Sequence, residues 1–222
     1  PSIRASMFLY RNDGTGRFLN PTPLPGPDPG PTSSAMALVD VDADGDLDLL
    51  ADSRLLKNDG KGGLVEAPLP TVAGATPICL AAGDLDGDGD PDLVQGFGSS
   101  SASAALNHNR LLLNDGRGTF SPAAAGPFQQ TSDLTRSLSL VDLDADGDLD
   151  LLEHNGQGPD RILWNDGQGG FQIALAGSLP TYTTESSAFY PGDADGDGDV
   201  DLLIFICMPV NCCRAVLLLN DG

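Results

Sequence analysis

Residues 83–94 read GDLDGDGDPDLV and residues 111–120 read LLLNDGRGTF, and the two recur together along the chain. The first packs five aspartates, Asp84, Asp86, Asp88, Asp90 and Asp92, into nine positions and then turns apolar. Bare carboxylates at this density repel one another and favour a solvated, disordered segment. A strand directly behind them requires something to neutralise the charge, and a hard, oxygen-preferring cation is the natural candidate. Sister stretches are VDVDADGDLDLL (39–50), VDLDADGDLDLL (141–152) and GDADGDGDVDLL (192–203). Their first aspartates, Asp40, Asp84, Asp142 and Asp193, are spaced by 44, 58 and 51 residues.

The second motif alternates with the first: YRNDGTGRF (10–18), LKNDGKGGL (56–64), LLNDGRGTF (112–120), LWNDGQGGF (163–171) and LLNDG (218–222). Asn-Asp-Gly between apolar runs is a hairpin signal, because Gly accepts positive φ and Asn and Asp tolerate it. Each unit therefore reads as four short strands. The first enters the aspartate loop and the second leaves it. The third enters the Asn-Asp-Gly turn and the fourth leaves it around GTF or GGF. Four antiparallel strands per unit of 40 to 50 residues predict an all-β chain of β-propeller blades, each burying its faces against its neighbours. The expected division is a partial blade with its connection over 1–35 (third and fourth strands, the fourth being GRFLN), and blades over 36–77, 78–136 and 137–185. Residues 186–222 form a blade lacking its fourth strand. Both ends carry the same third-strand motif, so the expectation is part of a larger ring; a small ring, or copies that complete one another's blades, are the alternatives. The variable stretches 21–34, 96–109 and 122–133 read as loops between strands.

The aspartate spacing assigns roles within each loop. Positions 1, 3 and 5 (Asp40, Asp42, Asp44; Asp84, Asp86, Asp88; Asp142, Asp144, Asp146; Asp193, Asp195, Asp197) aim carboxylates inward around a sharp turn at Gly45, Gly89, Gly147 or Gly198. Position 7 (Asp46, Asp90, Asp148, Asp199) offers its backbone carbonyl, and position 9 (Asp48, Asp92, Asp150, Asp201) returns a carboxylate from the next strand. Six or seven oxygens from one short loop suit Ca²⁺, which accepts flexible geometry, whereas Mg²⁺ keeps its waters and transition metals prefer nitrogen or sulfur. Four ions are expected, one per loop. A helix-loop-helix calcium hand needs an acid at position 12; here Ala51, Gln95, Glu153 and Ile204 stand there, and the flanks are β-like.

GDLDGDGDPDLV followed by LLLNDGRGTF resembles the FG-GAP/VCBS repeat of integrin α-subunit propellers, bacterial surface proteins and calcium-containing fungal lectins. The resemblance covers essentially the whole chain. It implies a propeller with a Ca²⁺ loop between the first two strands of each blade, an extracellular or cell-surface setting, and binding or adhesion without catalysis. A glycan-binding lectin and a self-assembling surface or filament protein are the alternatives it leaves. Ligands, protein or glycan, would be met by loops between blades.

Composition agrees with this reading. The formal charge is −21, and 20 of the 32 acids lie in the four loops; four divalent cations would bring it to −13. A nucleic-acid partner is excluded on charge, because phosphates would be repelled. No apolar run approaches the roughly 20 residues of a membrane-spanning helix, and no N-terminal basic-plus-apolar leader is seen. Cys207, Cys212 and Cys213 lie together in ICMPVNCC, which invites one local disulfide, Cys207–Cys212 or Cys207–Cys213. Cys79 reads as a buried free thiol, unless it bonds the cysteine left over from that stretch. His108 and His154 read as isolated loop residues, no nucleophile stands with either, and no acid outside the aspartate loops suggests a catalytic cleft. Trp164 reads as a packing residue.

Overall fold

A computed structural model describes residues 7–26, 35–98, 108–124, 126–127, 134–156, 158–175, 177–180, 186–208 and 212–222. Three four-stranded antiparallel meanders follow one another. The first blade comprises β3 (Met36–Val39), β4 (Asp48–Ala51), β5 (Arg54–Asn58) and β6 (Leu64–Ala67). The second comprises β7 (Cys79–Gly83), β8 (Asp92–Gly96), β9 (Arg110–Asn114) and β10 (Phe120–Pro122). The third comprises β11 (Thr135–Val141), β12 (Asp150–Asn155), β13 (Arg161–Asn165) and β14 (Phe171–Ile173). A three-stranded sheet of β15 (Ser186–Gly192), β16 (Asp201–Met208) and β17 (Cys212–Leu218) follows. The chain is thus all-β and built of propeller blades, in a row that is not closed into a ring among the described residues.

The N-terminal unit departs from expectation. A two-stranded sheet pairs β1 (Phe8–Leu9) with β2 (Thr22–Pro23), while Phe18 of the expected fourth strand makes only an isolated bridge to Asn12. His154 also differs: it is the buried fifth residue of β12, not a loop residue. Large parts of the variable stretches, 27–34, 99–107 and 128–133, lie outside the described residues.

The core sits between blades. Val41, Leu50 and Leu55 of the first blade meet Leu93, Leu112 and Phe120 of the second. Leu85, Val94 and Leu111 of the second meet Leu151, Leu163 and Phe171 of the third. Leu143, Leu152 and Ile162 of the third meet Leu202 and Ile204 of β16, with Trp164 packed against them. Because the second strand of a blade is covered on both sides, β8 and β12 are buried along their whole length, which is why they read as apolar runs without strict alternation. The first strands β3, β7, β11 and β15 contact one another in succession. All the aspartate loops accordingly occupy equivalent places in their sheets, between first and second strands.

Candidate metal centre

Each aspartate loop leaves the sheet for eight residues between the first and second strands of its blade. Two left-handed residues close the turn. Position 6 is the expected glycine, with φ of 91° at Gly45 and Gly89, 101° at Gly147 and 102° at Gly198. Position 4 is left-handed as well, although alanine fills it in two loops (Ala43, φ 57°; Ala145, φ 59°). The curled backbone turns its N–H groups inward. Asp40 accepts from Asp44 N (3.2 Å) and Gly45 N (2.9 Å), Asp84 from Gly87 N (2.9 Å) and Gly89 N (3.0 Å), and Asp193 from Gly196 N (2.6 Å) and Gly198 N (3.2 Å). Asp142 accepts from Gly147 N at 3.1 Å.

Every loop gathers three aspartates whose carboxylate oxygens lie within 4.8 Å of one another. They are Asp40, Asp42 and Asp48; Asp84, Asp86 and Asp92; Asp142, Asp144 and Asp146; and Asp193, Asp195 and Asp197. Positions 1 and 3 join in all four loops. The third member is position 9 in the first two loops and position 5 in the others, so Asp44, Asp88, Asp150 and Asp201 stand outside the triplets. Position 7 belongs to none. Its side chain lies instead against the glycine of the blade's own Asn-Asp-Gly turn, so that a Cβ at Gly60, Gly116 or Gly167 would collide with Asp46, Asp90 or Asp148.

Two oxygens test whether a cation fits. Asp42 Oδ1 and Asp142 Oδ1 are buried carboxylate atoms with no hydrogen-bond donor. A buried anionic oxygen without a donor costs several times a satisfied one, and a cation in the triplet would meet it. The triplets offer oxygen only, as a hard ion requires. Among the described residues one cation approaches a loop carboxylate, Lys57 Nζ at 3.1 Å from Asp42 Oδ2 in the first loop. Burial raises the carboxyl of Asp86 above its ordinary range, with the neighbouring Asp88 adding to the effect, and burial with like charges likewise raises Asp148 and Asp195.

Position 9 has a second role that its residue type did not reveal. In each blade its two oxygens accept one backbone N–H from loop position 2 and one from the asparagine of the Asn-Asp-Gly turn. Asp48 takes Val41 N (3.0 Å) and Asn58 N (2.7 Å), and Asp92 takes Leu85 N and Asn114 N (both 2.9 Å). Asp150 takes Leu143 N (3.0 Å) and Asn165 N (2.9 Å), and Asp201 takes Ala194 N (2.8 Å) and Asn220 N (2.9 Å). Burial pushes Asp48 and Asp150 up, and Asp92 up to about 6, against the pull of these bonds. At Asp201 the two N–H bonds win and its carboxyl is lowered; residues 193–198 of its loop are exposed.

The asparagine completes a stitch between blades. Asn114 Nδ2 donates to the Val41 carbonyl (2.9 Å), Asn165 Nδ2 to that of Leu85 (3.0 Å), and Asn220 Nδ2 to that of Leu143 (3.1 Å), each in the preceding blade. Carboxylate, position-2 peptide and asparagine thus alternate from blade to blade, and each Asn-Asp-Gly turn caps the aspartate loop before it. Gly169 N adds a bond to the Leu85 carbonyl at 2.8 Å.

The FG-GAP-like repeat family matches residues 4–51, 100–153 and 154–204. The chain belongs to the FG-GAP-like repeat family. All three matched FG-GAP-like segments begin ahead of a third strand and end in the second strand of the next sheet, so the sequence repeat spans an interface between blades. No curated protein matches the chain in sequence. Among solved structures, the V. cholerae biofilm matrix protein Bap1 is similar at 18% identity with a TM-score of 0.48, over 85% of this chain and 27% of that one. The chain therefore spans about a quarter of the length of that protein.

Other candidates resolve differently. In backbone register Cys207 faces Cys213, and Cys212 faces Met208, but these side chains lie outside the described residues. Cys79 is free, its thiol pushed up to about 12 by burial and then by the charge of Glu153. Sequence reasoning overlooked Glu153 as an acid outside the loops. It is 1% exposed and its carboxyl is raised by burial. Asn109, Thr135 (3.2 Å) and Arg161 (3.0 Å) engage its oxygens, tying the second blade to the third. His154 Nδ1 lies 2.8 Å from Asp160 Oδ1. No helix among the described residues is long and apolar enough to cross a membrane.

Proposed function

We propose that this chain is a calcium-stabilised, extracellular β-propeller segment that acts as a binding or adhesion scaffold without catalysis of its own. Its blades run over 36–77, 78–136 and 137–185, with third and fourth strands of another in 1–35 and three strands of a further one in 186–222. The observation that carries this reading is the aspartate triplet repeated in four loops, with donorless buried oxygens at Asp42 and Asp142. Positions 1 and 3, completed by position 5 or 9, would hold each ion, and the position-7 carbonyl would join them. The ion would supply positive charge at the centre of the loop. The chain's own part is to curl the loop with inward N–H groups and to lock it to the next blade through the position-9 carboxylate and the asparagine. All-oxygen loop sites suit calcium, and the FG-GAP-like repeats support the extracellular setting. Rigid loops then leave recognition of a protein or glycan ligand to the connections between blades.

Metal binding to a fold that cannot form in the unfolded chain is folding free energy. Excess chelator should lower the melting temperature, Ca²⁺ should restore it more fully than Mg²⁺, and capture of a surface ligand should follow the same order. An unchanged melt at matched ionic strength would overturn the structural role of calcium.

A further inference from the structure

The residue just before Asn-Asp-Gly changes character along the chain: Lys57 in the first blade, Leu113 in the second and Trp164 in the third. Its place is at the interface with the following blade. Leu113 borders Gly169 of the third blade's turn together with Asp86, position 3 of the second blade's own aspartate loop. Lys57 occupies the same place one blade earlier, where a Cβ at Gly118 would collide with its Cε and Nζ. Its ammonium donates to the Arg117 carbonyl of that turn and stands 3.1 Å from Asp42 Oδ2, position 3 of the first loop. The lysine and aspartate side chains are 26% and 22% exposed, so water screens the pair only in part. Arg11 takes the same posture, its guanidinium donating to the Gly62 carbonyl in the turn of the first blade. A base at this position therefore lies across the next turn, and in the first blade it reaches an aspartate triplet.

We propose that Lys57 is a built-in counter-ion that makes the first aspartate loop the last of the four to take up calcium. This inference rests on the reading of the loops as calcium sites and ranks them. The first triplet, Asp40, Asp42 and Asp48, already has one of its carboxylates answered by the ammonium. An entering ion competes with Lys57 for Asp42 Oδ2, and the oxygen left to it is Oδ1, which has no donor. The ammonium is also tethered, because the Arg117 carbonyl of the second blade holds it beside the loop. In the second loop the equivalent neighbour is the uncharged Leu113, so the ion meets the full charge of Asp84, Asp86 and Asp92. One elementary charge about 5 Å from a divalent ion, at a partly screened site, weakens its binding about ten- to a hundredfold. At calcium levels that fill the other loops, the first keeps its lysine in place of an ion. The scaffold thereby responds to calcium in two steps, the second confined to the interface of the first and second blades.

Calorimetric titration of the chelator-stripped chain with Ca²⁺ tests it. The expected result is a group of tight steps followed by one step about ten- to a hundredfold weaker. Lys57→Met keeps the aliphatic stem and removes the charge, and should bring the weak step into line with the others. Lys57→Arg keeps the charge and should preserve the gap. Asp42→Asn should abolish the weak step and leave the tight ones, whereas Asp86→Asn should remove a tight one. Indistinguishable steps in the wild type would overturn the proposal, as would a weak step that survives Lys57→Met. A weak step lost with Asp86→Asn and kept with Asp42→Asn would overturn it too. A chain that takes up no calcium would overturn the calcium scaffold and this ranking together, whereas equal steps overturn the ranking alone.

Discussion

Replacing Asp92 by asparagine exchanges one carboxylate oxygen for an amide nitrogen of nearly the same size, and the structure makes that exchange costly. Both oxygens of Asp92 accept buried backbone N–H groups, Leu85 N and Asn114 N, at 2.9 Å. An asparagine can accept only one, and its NH₂ would face the other donor. Hydrogen bonds to a charged group contribute about 1.5–3 kcal/mol, and an orphaned buried donor costs about 1–3 kcal/mol. The variant should therefore lose about 2–4 kcal/mol, equivalent to about 5–15 °C in melting temperature for a chain of this size. The assay is a thermal melt in excess chelator at pH 7.5, where Asp92 is ionised and no metal contributes. The control is Asp88→Asn, an exposed loop position that accepts one N–H, from Asp90 at 3.0 Å, and can still do so as asparagine. It should lie within about 0.5 kcal/mol of the wild type. Equal melting of the two variants in chelator would refute the second role assigned to position 9.

Three further outcomes follow from the same geometry. Asn114→Ala removes the bond to Val41 in the preceding blade and orphans a buried carbonyl, so it should cost about 2–3 kcal/mol in urea unfolding. Asn58→Ala loses bonds within its own blade only, to the Leu47 carbonyl (3.2 Å) and from Gly60 N (3.2 Å), and should cost about 1 kcal/mol; equal costs would contradict the stitch. Ala145→Gly relieves a left-handed alanine (φ 59°) and should stabilise the calcium-loaded chain by up to about 1 kcal/mol, where a loss would show that the alanine is not strained. The third concerns pH. Asp92 is raised to about 6 when folded, above its ordinary 3.8, and Asp48 and Asp150 shift the same way. The folded state therefore binds more protons between these values, and this stability is lost as pH rises through about 6. In chelator the melting temperature should be higher at pH 5 than at pH 7; with calcium present the order should reverse, because protons compete for the ligands. A chelated chain less stable at pH 5 would contradict the raised carboxyls.

What could be read from the sequence was local. Asn-Asp-Gly announces positive φ, the alternation of aspartates announces a curled loop, and apolar runs directly behind it, such as LDLL (149–152), announce buried strands; these give the blades and the triplets. Contacts between blades left no such trace. Asn114 reaches Val41 across 73 residues and Asn165 reaches Leu85 across 80, and nothing in an Asn-Asp-Gly turn says that its amide will leave its own hairpin. Position 9 looked like one more ligand because aspartate serves equally as a metal ligand and as a double acceptor for peptide N–H. Left-handed Ala43 and Ala145 were hidden because the glycine that marks this conformation is present in only two loops. Glu153 read only as the twelfth position of its loop, because Asn109 reaches it through packing of the second blade on the third and Arg161 through the register of β12 with β13.

The central claim is that each aspartate loop holds one calcium ion. Diffraction from crystals grown in Ca²⁺, recorded at a wavelength where calcium scatters anomalously, tests it directly. Four anomalous peaks are expected, each within about 2.3–2.6 Å of carboxylate oxygens from positions 1 and 3 of its loop and of the position-7 carbonyl. Loops with carboxylates splayed outward and no peak at their centres would contradict it.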